Sequence, residues 1–227
     1  MSLNLPSSST AVQAAPLADQ VFNTLHGWIV DGELRPGQRL RVRDLAEAVG
    51  TSVMPVREAI RRLVESGLAE SEPYKGARVR RLDVDELEHA YDVRILLEGE
   101  GARLGALAGD DGLADRMHEH WLELRRYADA GDVGAALAQD ELLLEELYAA
   151  SGNEILVGII RGLWDKCRPY KVAWATAGPG EGELGIWHYK PELVSAVRAR
   201  DGDSAAQILR TSYLEAKATI RESLEPA

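Results

Sequence analysis

The chain has 227 residues, of which 45% are hydrophobic, and its formal net charge is −11. This length can bury one large core or two smaller ones, which indicates one or two folded domains. No apolar run approaches the roughly 18–20 residues of a membrane span, and the single cysteine, Cys167, excludes an intramolecular disulfide. We therefore expect a cytoplasmic protein with no membrane partner.

The charge is distributed unevenly along the chain. Residues 1–16 carry no charge and are rich in Ser, Ala and Pro, a composition typical of a disordered tail. Residues 17–81 carry a net charge of +2, whereas residues 82–227 carry −13. We predict two domains, 17–81 and 82–227, of which only the first suits a polyanionic partner.

Three helices are predicted in the first domain. Apolar residues recur at helical spacing from Leu17 onwards, and "RPGQ" ends this helix. The stretch "RDLAEAVG" predicts a short second helix that stops at Gly50. A third helix follows, capped by Thr51 or Ser52, with a buried stripe of Val56, Ile60, Leu63 and Val64.

After Gly67 the apolar period changes from 3.6 towards 2. The segments "LAESE", "PYKG" and "ARVRRL" predict a strand, a tight turn and a second strand. Three helices followed by a hairpin indicate a winged helix-turn-helix.

The second domain has almost no strand signal. Breaks at "AGDDG", "AGD", "SGN", "AGPGEGELG" and "RDGD" divide it into about six amphipathic helices. We therefore predict a mainly α protein, in which the winged helix-turn-helix precedes an all-α bundle.

The basic residues of the first domain are candidates for DNA contact. A helix-turn-helix places its second helix in the major groove, where arginine reads guanine edges or binds phosphates. The candidates lie on the second and third helices, the turn and the wing: Arg43, Ser52, Arg57, Arg61, Lys75 and Arg78. The alternative is an ordinary solvated face, because Glu58 can pair with Arg61 and Arg62 at helical spacing.

The segment "LRPGQRLRVRDLAEAVGTSVMPVREAIRRLVESGLAE" resembles the DNA-binding domain of GntR-family transcriptional regulators. The resemblance implies that Arg43 and Arg57 contact DNA. It also implies a homodimer bound to a near-palindromic double-stranded operator. Val53 stands where many members of the family have an arginine, which predicts a different operator or a greater dependence on Arg57 and the wing.

Three further segments, "RILLEGEGARLGA", "DELLLEELYAASGN" and "KPELVSAVRARD", resemble the FCD effector-binding domain of the FadR-like subfamily. In many FCD proteins one Asp and three His residues hold a divalent metal that binds the carboxylate of an effector. Asp140 matches the Asp, but the three His positions fall on Leu144, Lys190 and Ser212. We therefore predict that the metal site is lost and that the protein has no metal cofactor.

Helical spacing places Arg94, Asp140 and Lys190 on the inward-facing stripes of three bundle helices. Two buried cations and one buried anion leave an excess positive charge. The hypothesis is that Arg94 and Lys190 bind an anionic, carboxylate effector, with Asp140 orienting one of them and Ser212 and His120 lining the site. In the alternative, Lys190 reaches the bundle mouth and Asp140 pairs with Arg94 as a structural salt bridge.

These patterns predict a DNA-binding regulator, not an enzyme, whose operator affinity is controlled by a small carboxylate. The family resemblance implies that the regulator is a repressor. No nucleophile with an adjacent base and no phosphate-binding glycine loop is evident. An enzyme using Lys190 for a Schiff base is one alternative. The other is a DNA-binding adaptor whose bundle binds no ligand and only dimerises.

Overall fold

The computed structural model describes residues 17–72, 75–177 and 185–224, with the backbone alone for 173–177, 185 and 220–224. The predicted tail, residues 1–16, lies outside these ranges. The first part of the chain is the predicted winged helix-turn-helix. Its elements are α1 (Leu17–Val30), β1 (Arg39–Leu40), α2 (Val42–Ala48), α3 (Val53–Glu65), β2 (Ala69–Glu72) and β3 (Gly76–Val79).

The winged helix-turn-helix has its own apolar core. Buried residues come from α1 and α3 at helical spacing: Val21, Leu25, Ile29, Val56, Ala59, Ile60 and Leu63. Leu17, predicted to begin the inward stripe of α1, is 53% exposed. Periodicity shows which face of a helix is apolar but not how far along the helix that face is covered. As predicted, α2 ends before Gly50, whose φ of +66° is in the left-handed region that favours glycine.

The wing is a three-stranded antiparallel sheet in the order β1-β3-β2. Arg78 of β3 lies opposite Arg39 on one side and Glu70 on the other. The sequence predicted only the hairpin of β2 and β3. Because β1 has two residues, it is too short to show a period-two pattern, and the sequence analysis missed it.

The rest of the described chain is an all-α bundle, as predicted. Its helices are α4 (Val84–Ala108), α5 (Leu113–Asp129), α6 (Val133–Ala149), α7 (Glu154–Ala177), α8 (Lys190–Arg198) and α9 (Gly202–Leu224). None of the helices in the described residues is both long and apolar enough to cross a membrane. A capping box begins α4, since Asp83 Oδ1 accepts from the backbone N–H of Glu86 at 2.8 Å and Glu86 Oε2 accepts from that of Asp83 at 3.3 Å.

Glycines bring α4 and α6 very close together. A Cβ atom on Gly105 would lie 1.9 Å from the carbonyl oxygen of Leu147, and one on Gly101 would lie 3.0 Å from Cδ1 of Tyr148. Only a residue without a side chain fits at position 105. This close packing holds Tyr148 against α4, where its hydroxyl donates to Glu98.

Helix α7 contacts the winged helix-turn-helix as well as the bundle. Nε2 of His26 lies 3.0 Å from Oδ2 of Asp165, and this hydrogen bond raises the pKa of His26. Nη2 of Arg168 lies 3.2 Å from Oδ1 of Asp31, just after α1. One helix therefore packs between the DNA-binding part and the interior of the bundle.

Candidate functional site

The third helix presents an exposed face to solvent at its first two turns. Arg57 is exposed, and within the described residues it makes no hydrogen bond or ion pair. Ser52 is the N-cap residue of α3, but its side chain makes no capping hydrogen bond. Both side chains are therefore free to bind a ligand on this face.

Two further DNA candidates are exposed cations without a partner in the described chain. The side chains of Arg43, in α2, and Lys75, next to β3, have no partner among residues 17–72, 75–177 and 185–224. With Arg57 they provide unpaired positive charge on the second helix, the third helix and the wing. Such a distribution suits a polyanion whose phosphates are spread over a wide surface.

Arg61 and Arg78 differ from the other DNA candidates because carboxylates already bind them. Arg61 lies between Glu58 and Glu65, with Nε donating to Oε2 of Glu58 at 3.1 Å. Arg78 contacts Glu70 at 2.5 Å and Glu72 at 3.0 Å across the wing. DNA contact by these two arginines stays a prediction, and it requires a phosphate or base to compete with these carboxylates.

The bundle interior contains the three charges that the sequence placed there. Arg94, Asp140 and Lys190 are each at most 1% exposed, and they come from α4, α6 and the first residue of α8. Nζ of Lys190 lies 2.5 Å from Oδ1 of Asp140. The other carboxylate oxygen, Oδ2, lies 3.1 Å from Nζ of Lys171, a residue of α7 that the sequence analysis missed.

A second buried carboxylate, Glu98, binds Arg94. Nε of Arg94 donates to Oε1 of Glu98 at 2.6 Å. Oε2 of Glu98 accepts from the hydroxyls of Tyr148 at 3.0 Å and Tyr213 at 2.6 Å and from Nε1 of Trp164 at 3.0 Å. Four donors therefore fix this carboxylate. Glu98 lies four residues after Arg94, and residues four apart lie on the same face of a helix, so this spacing could have predicted the pair from the sequence.

The outer nitrogens of Arg94 are buried without an acceptor. Neither Nη1 nor Nη2 has a hydrogen-bond partner in residues 17–72, 75–177 and 185–224, as far as their side chains are described. The guanidinium lies 4.8 Å from the ring centre of Tyr91 and 4.5 Å from that of Tyr213, which hold its orientation by cation–π contact. Cys167 also interacts with Arg94, but burial raises the pKa of this thiol, so it supplies no negative charge.

Charges in this cluster do not cancel. Among the described residues, Arg94, Lys171 and Lys190 form ion pairs with two carboxylates, Glu98 and Asp140. Glu141 also attracts Lys171, but it is paired with Arg168, so one net positive charge remains. Burial alone would raise the pKa of Asp140, but Lys190 and Lys171 hold it below its usual range. Burial lowers the pKa of Lys190, and Asp140 only partly offsets this. An additional anion would stabilise the charged form of the lysine.

The alternative for these residues gave the wrong geometry, although Asp140 does form a buried salt bridge. Lys190 does not reach the bundle mouth, because it is fully buried, and Asp140 pairs with Lys190 and Lys171 instead of Arg94. The apolar pattern showed which charges face inward. It did not show which helices lie next to each other, and so it could not identify the partners.

Ser212 and His120 are the other two residues predicted to line the effector site. Ser212 is buried beside Tyr213, and its hydroxyl has no hydrogen-bond partner among the described residues. His120 is half-buried and lies 2.8 Å, through Nδ1, from Oε1 of Gln139. Effector contact by either residue stays a prediction.

The residues at the expected metal position do not fit a divalent ion. Leu144 has no donor atom, and both oxygens of Asp140 lie within 3.1 Å of an ammonium nitrogen, which would repel a second cation. In the part of the chain that the structure describes, no three His, Cys, Asp or Glu residues are grouped as metal ligands. Loss of the metal stays a prediction that metal-binding measurements can test.

Two protein-family models match the chain and together cover most of it. Residues 17–79 match the model of bacterial regulatory proteins of the gntR family, and residues 89–214 match the FCD domain. The first match contains the exposed cations of α2, α3 and the wing. The second contains the buried charges of the bundle.

Individual relatives agree with these matches. The chain is 35% identical over 160 residues, 67% of each chain, to the "Probable D-xylose utilization operon transcriptional repressor" of Paenarthrobacter nicotinovorans. It is 29% identical over 193 residues to the transcriptional regulator McbR of Escherichia coli strain K12, covering 84% of this chain and 86% of McbR. The solved structure of E. coli McbR/YncC shares the fold, with a TM-score of 0.82 at 24% identity over 93% of this chain and all of the other.

Proposed function

Because this chain belongs to the GntR family of bacterial transcriptional regulators and carries an FCD domain, we propose that a small carboxylate bound at Arg94 and Lys190 controls its affinity for an operator. In this proposal the protein is a homodimeric repressor, and the carboxylate releases it from DNA. The name of the relative from Paenarthrobacter nicotinovorans, a transcriptional repressor, supports this direction of control.

One observation supports the proposal for the effector: Nη1 and Nη2 of Arg94 are buried, and no described residue accepts a hydrogen bond from them. Leaving buried donors of a charged group unsatisfied is costly, so such groups normally bind something. A guanidinium presents two parallel N–H groups that match the two oxygens of a carboxylate. Glu98 holds Nε, and the rings of Tyr91 and Tyr213 lie 4.8 and 4.5 Å from the guanidinium carbon, so the Nη atoms are the part of the group that has no hydrogen-bond partner among the described residues.

Lys190 supplies the second attraction for an anion. Its ammonium has three donors, and Asp140 is the only carboxylate paired with it among the described residues. The lysine stands at a position where the resemblance predicts a metal ligand. It takes over the electrostatic role of the metal, since both attract an anion into the interior of the bundle.

On the DNA side, the exposed and unpaired Arg43, Arg57 and Lys75 bind the operator. A two-fold dimer presents two copies of α3 to half-sites about one turn of DNA apart, roughly 34–36 Å. This geometry requires a near-palindromic operator. Any effector that changes the separation of the two α3 helices changes operator affinity.

Helix α7 provides a physical connection between the two sites. Lys171 binds Asp140 at 3.1 Å, and one turn earlier Arg168 binds both Glu141 and Asp31. Asp31 belongs to the winged helix-turn-helix. An anion that draws Lys190 away from Asp140 strengthens the attraction between Asp140 and Lys171. Helix α7 transmits the resulting displacement of Lys171 to the winged helix-turn-helix.

A thermal-shift comparison tests the proposal. Small mono- and dicarboxylates are tested beside their neutral amides, which have nearly the same shape but no charge. We expect at least one carboxylate, at ten times its dissociation constant, to stabilise the protein by about 1.4 kcal/mol. For a chain of this size that is roughly 3–6 °C.

The matching amide is expected to produce no shift. A carboxylate and its amide that stabilise the protein equally would contradict an anion site. If no compound in a broad library raises the unfolding temperature, the result favours the adaptor whose bundle only dimerises.

A further inference from the structure

Two apolar side chains at the start of α3 are exposed to solvent. Met54 is 70% exposed and Val53 is 40% exposed. They precede Arg57 by three and four residues, so all three lie on one face of the helix. The opposite face, formed by Val56, Ala59, Ile60 and Leu63, is buried.

This face of α3 is the surface that a helix-turn-helix presents to the major groove. The N-terminal residues of a recognition helix reach the edges of the bases. An apolar side chain cannot bind a phosphate or donate to a base. The apolar group that the major groove offers is the C5-methyl of thymine.

We infer that Met54, together with Val53, contacts the C5-methyl group of a thymine in each operator half-site. The free cations Arg43, Arg57 and Lys75 bring the helix to the DNA, and the apolar pair selects a base. Single exposed apolar residues are common on protein surfaces and need no explanation. Here two adjacent ones lie on the face of the helix that meets the bases. The inference rests on DNA binding by the winged helix-turn-helix and does not depend on the anion site.

Replacing thymine by uracil tests the contact, because the two bases differ only in this methyl group. A preferred duplex is first selected from a library of random double-stranded DNA, using the full-length protein. Each thymine of the selected duplex is then replaced by deoxyuridine, one position at a time, and affinity is measured by fluorescence anisotropy. We expect one position in each half-site at which uracil weakens binding by about fourfold, the effect of burying one methyl group.

The loss should disappear in a variant with both Val53→Ser and Met54→Ser. Leu122→Ser, which changes an apolar residue of α5 that is 51% exposed, is the matched control and should retain the loss. Uracil effects below about twofold at every position would overturn the methyl contact while leaving operator binding intact. An equal loss in the Val53/Met54 variant would overturn it too. If no sequence is enriched from the library, base-specific binding itself is contradicted, and the inference fails with it.

Discussion

Replacing Glu98 by glutamine is expected to lower the free energy of unfolding of the bundle by about 3–5 kcal/mol. Glutamine has nearly the same shape, so it creates no cavity. It removes the negative charge that pairs with Arg94 at 2.6 Å, in a place where both side chains are fully buried. A buried guanidinium without a counter-charge is strongly destabilising. Urea unfolding followed by tryptophan fluorescence measures the effect.

The same helix offers a matched control for this prediction. Glu100 pairs with Arg103, but both side chains are substantially exposed. Glu100→Gln is therefore expected to change the free energy of unfolding by about 0.5 kcal/mol or less. A double variant with Arg94→Met and Glu98→Gln should regain much of the lost stability, because methionine needs no counter-charge and the glutamine oxygen still accepts from Tyr148, Tyr213 and Trp164. Equal effects of Glu98→Gln and Glu100→Gln would show that the buried pair does not hold the bundle together.

Replacing Arg57 by alanine is expected to weaken operator binding by about 1–3 kcal/mol, the usual contribution of an arginine that reads a base edge. Arg57 is exposed on α3, and no described residue occupies its guanidinium. Binding to the selected duplex, measured by anisotropy at fixed salt, gives the change. The salt must be stated, since phosphate contacts make affinity strongly salt-dependent.

Arg61, one turn further along α3, provides the comparison. Glu58 and Glu65 already neutralise it, so Arg61→Ala removes little free positive charge. We expect a smaller loss of affinity than for Arg57→Ala. A larger loss for Arg61→Ala would show that the carboxylates release Arg61 when DNA binds and that Arg61 is the main contact.

The difference between these two arginines could have been predicted from the sequence. Arg61 has a glutamate three residues before it and another four residues after it, whereas Arg57 has no acid at either spacing. The same reasoning would have found Glu98, four residues after Arg94. Pairing within one helix follows from spacing alone, and both pairs are of this kind.

Pairing between helices could not be predicted in this way. Helical periodicity placed Arg94, Asp140 and Lys190 in the interior because it shows which face of each helix is apolar. It does not show that α7 lies beside α6, so Lys171 remained unidentified as a partner of Asp140. Strand β1 was missed for a related reason, because two residues become a strand only by pairing with β3.

The most direct test of the proposed function measures operator affinity as a function of the concentration of a carboxylate that stabilises the protein. For the wild-type protein, the carboxylate should lower operator affinity, and its neutral amide should have no effect. In Lys190→Met, the loss of the ion pair with Asp140 should strengthen the attraction between Asp140 and Lys171, so operator affinity without ligand should already be lower than in the wild type. The carboxylate should bind this variant about 1.5–3 kcal/mol more weakly, the value of a hydrogen bond to a charged group. Release from DNA at the same carboxylate concentration in wild type and Lys190→Met would contradict the proposal.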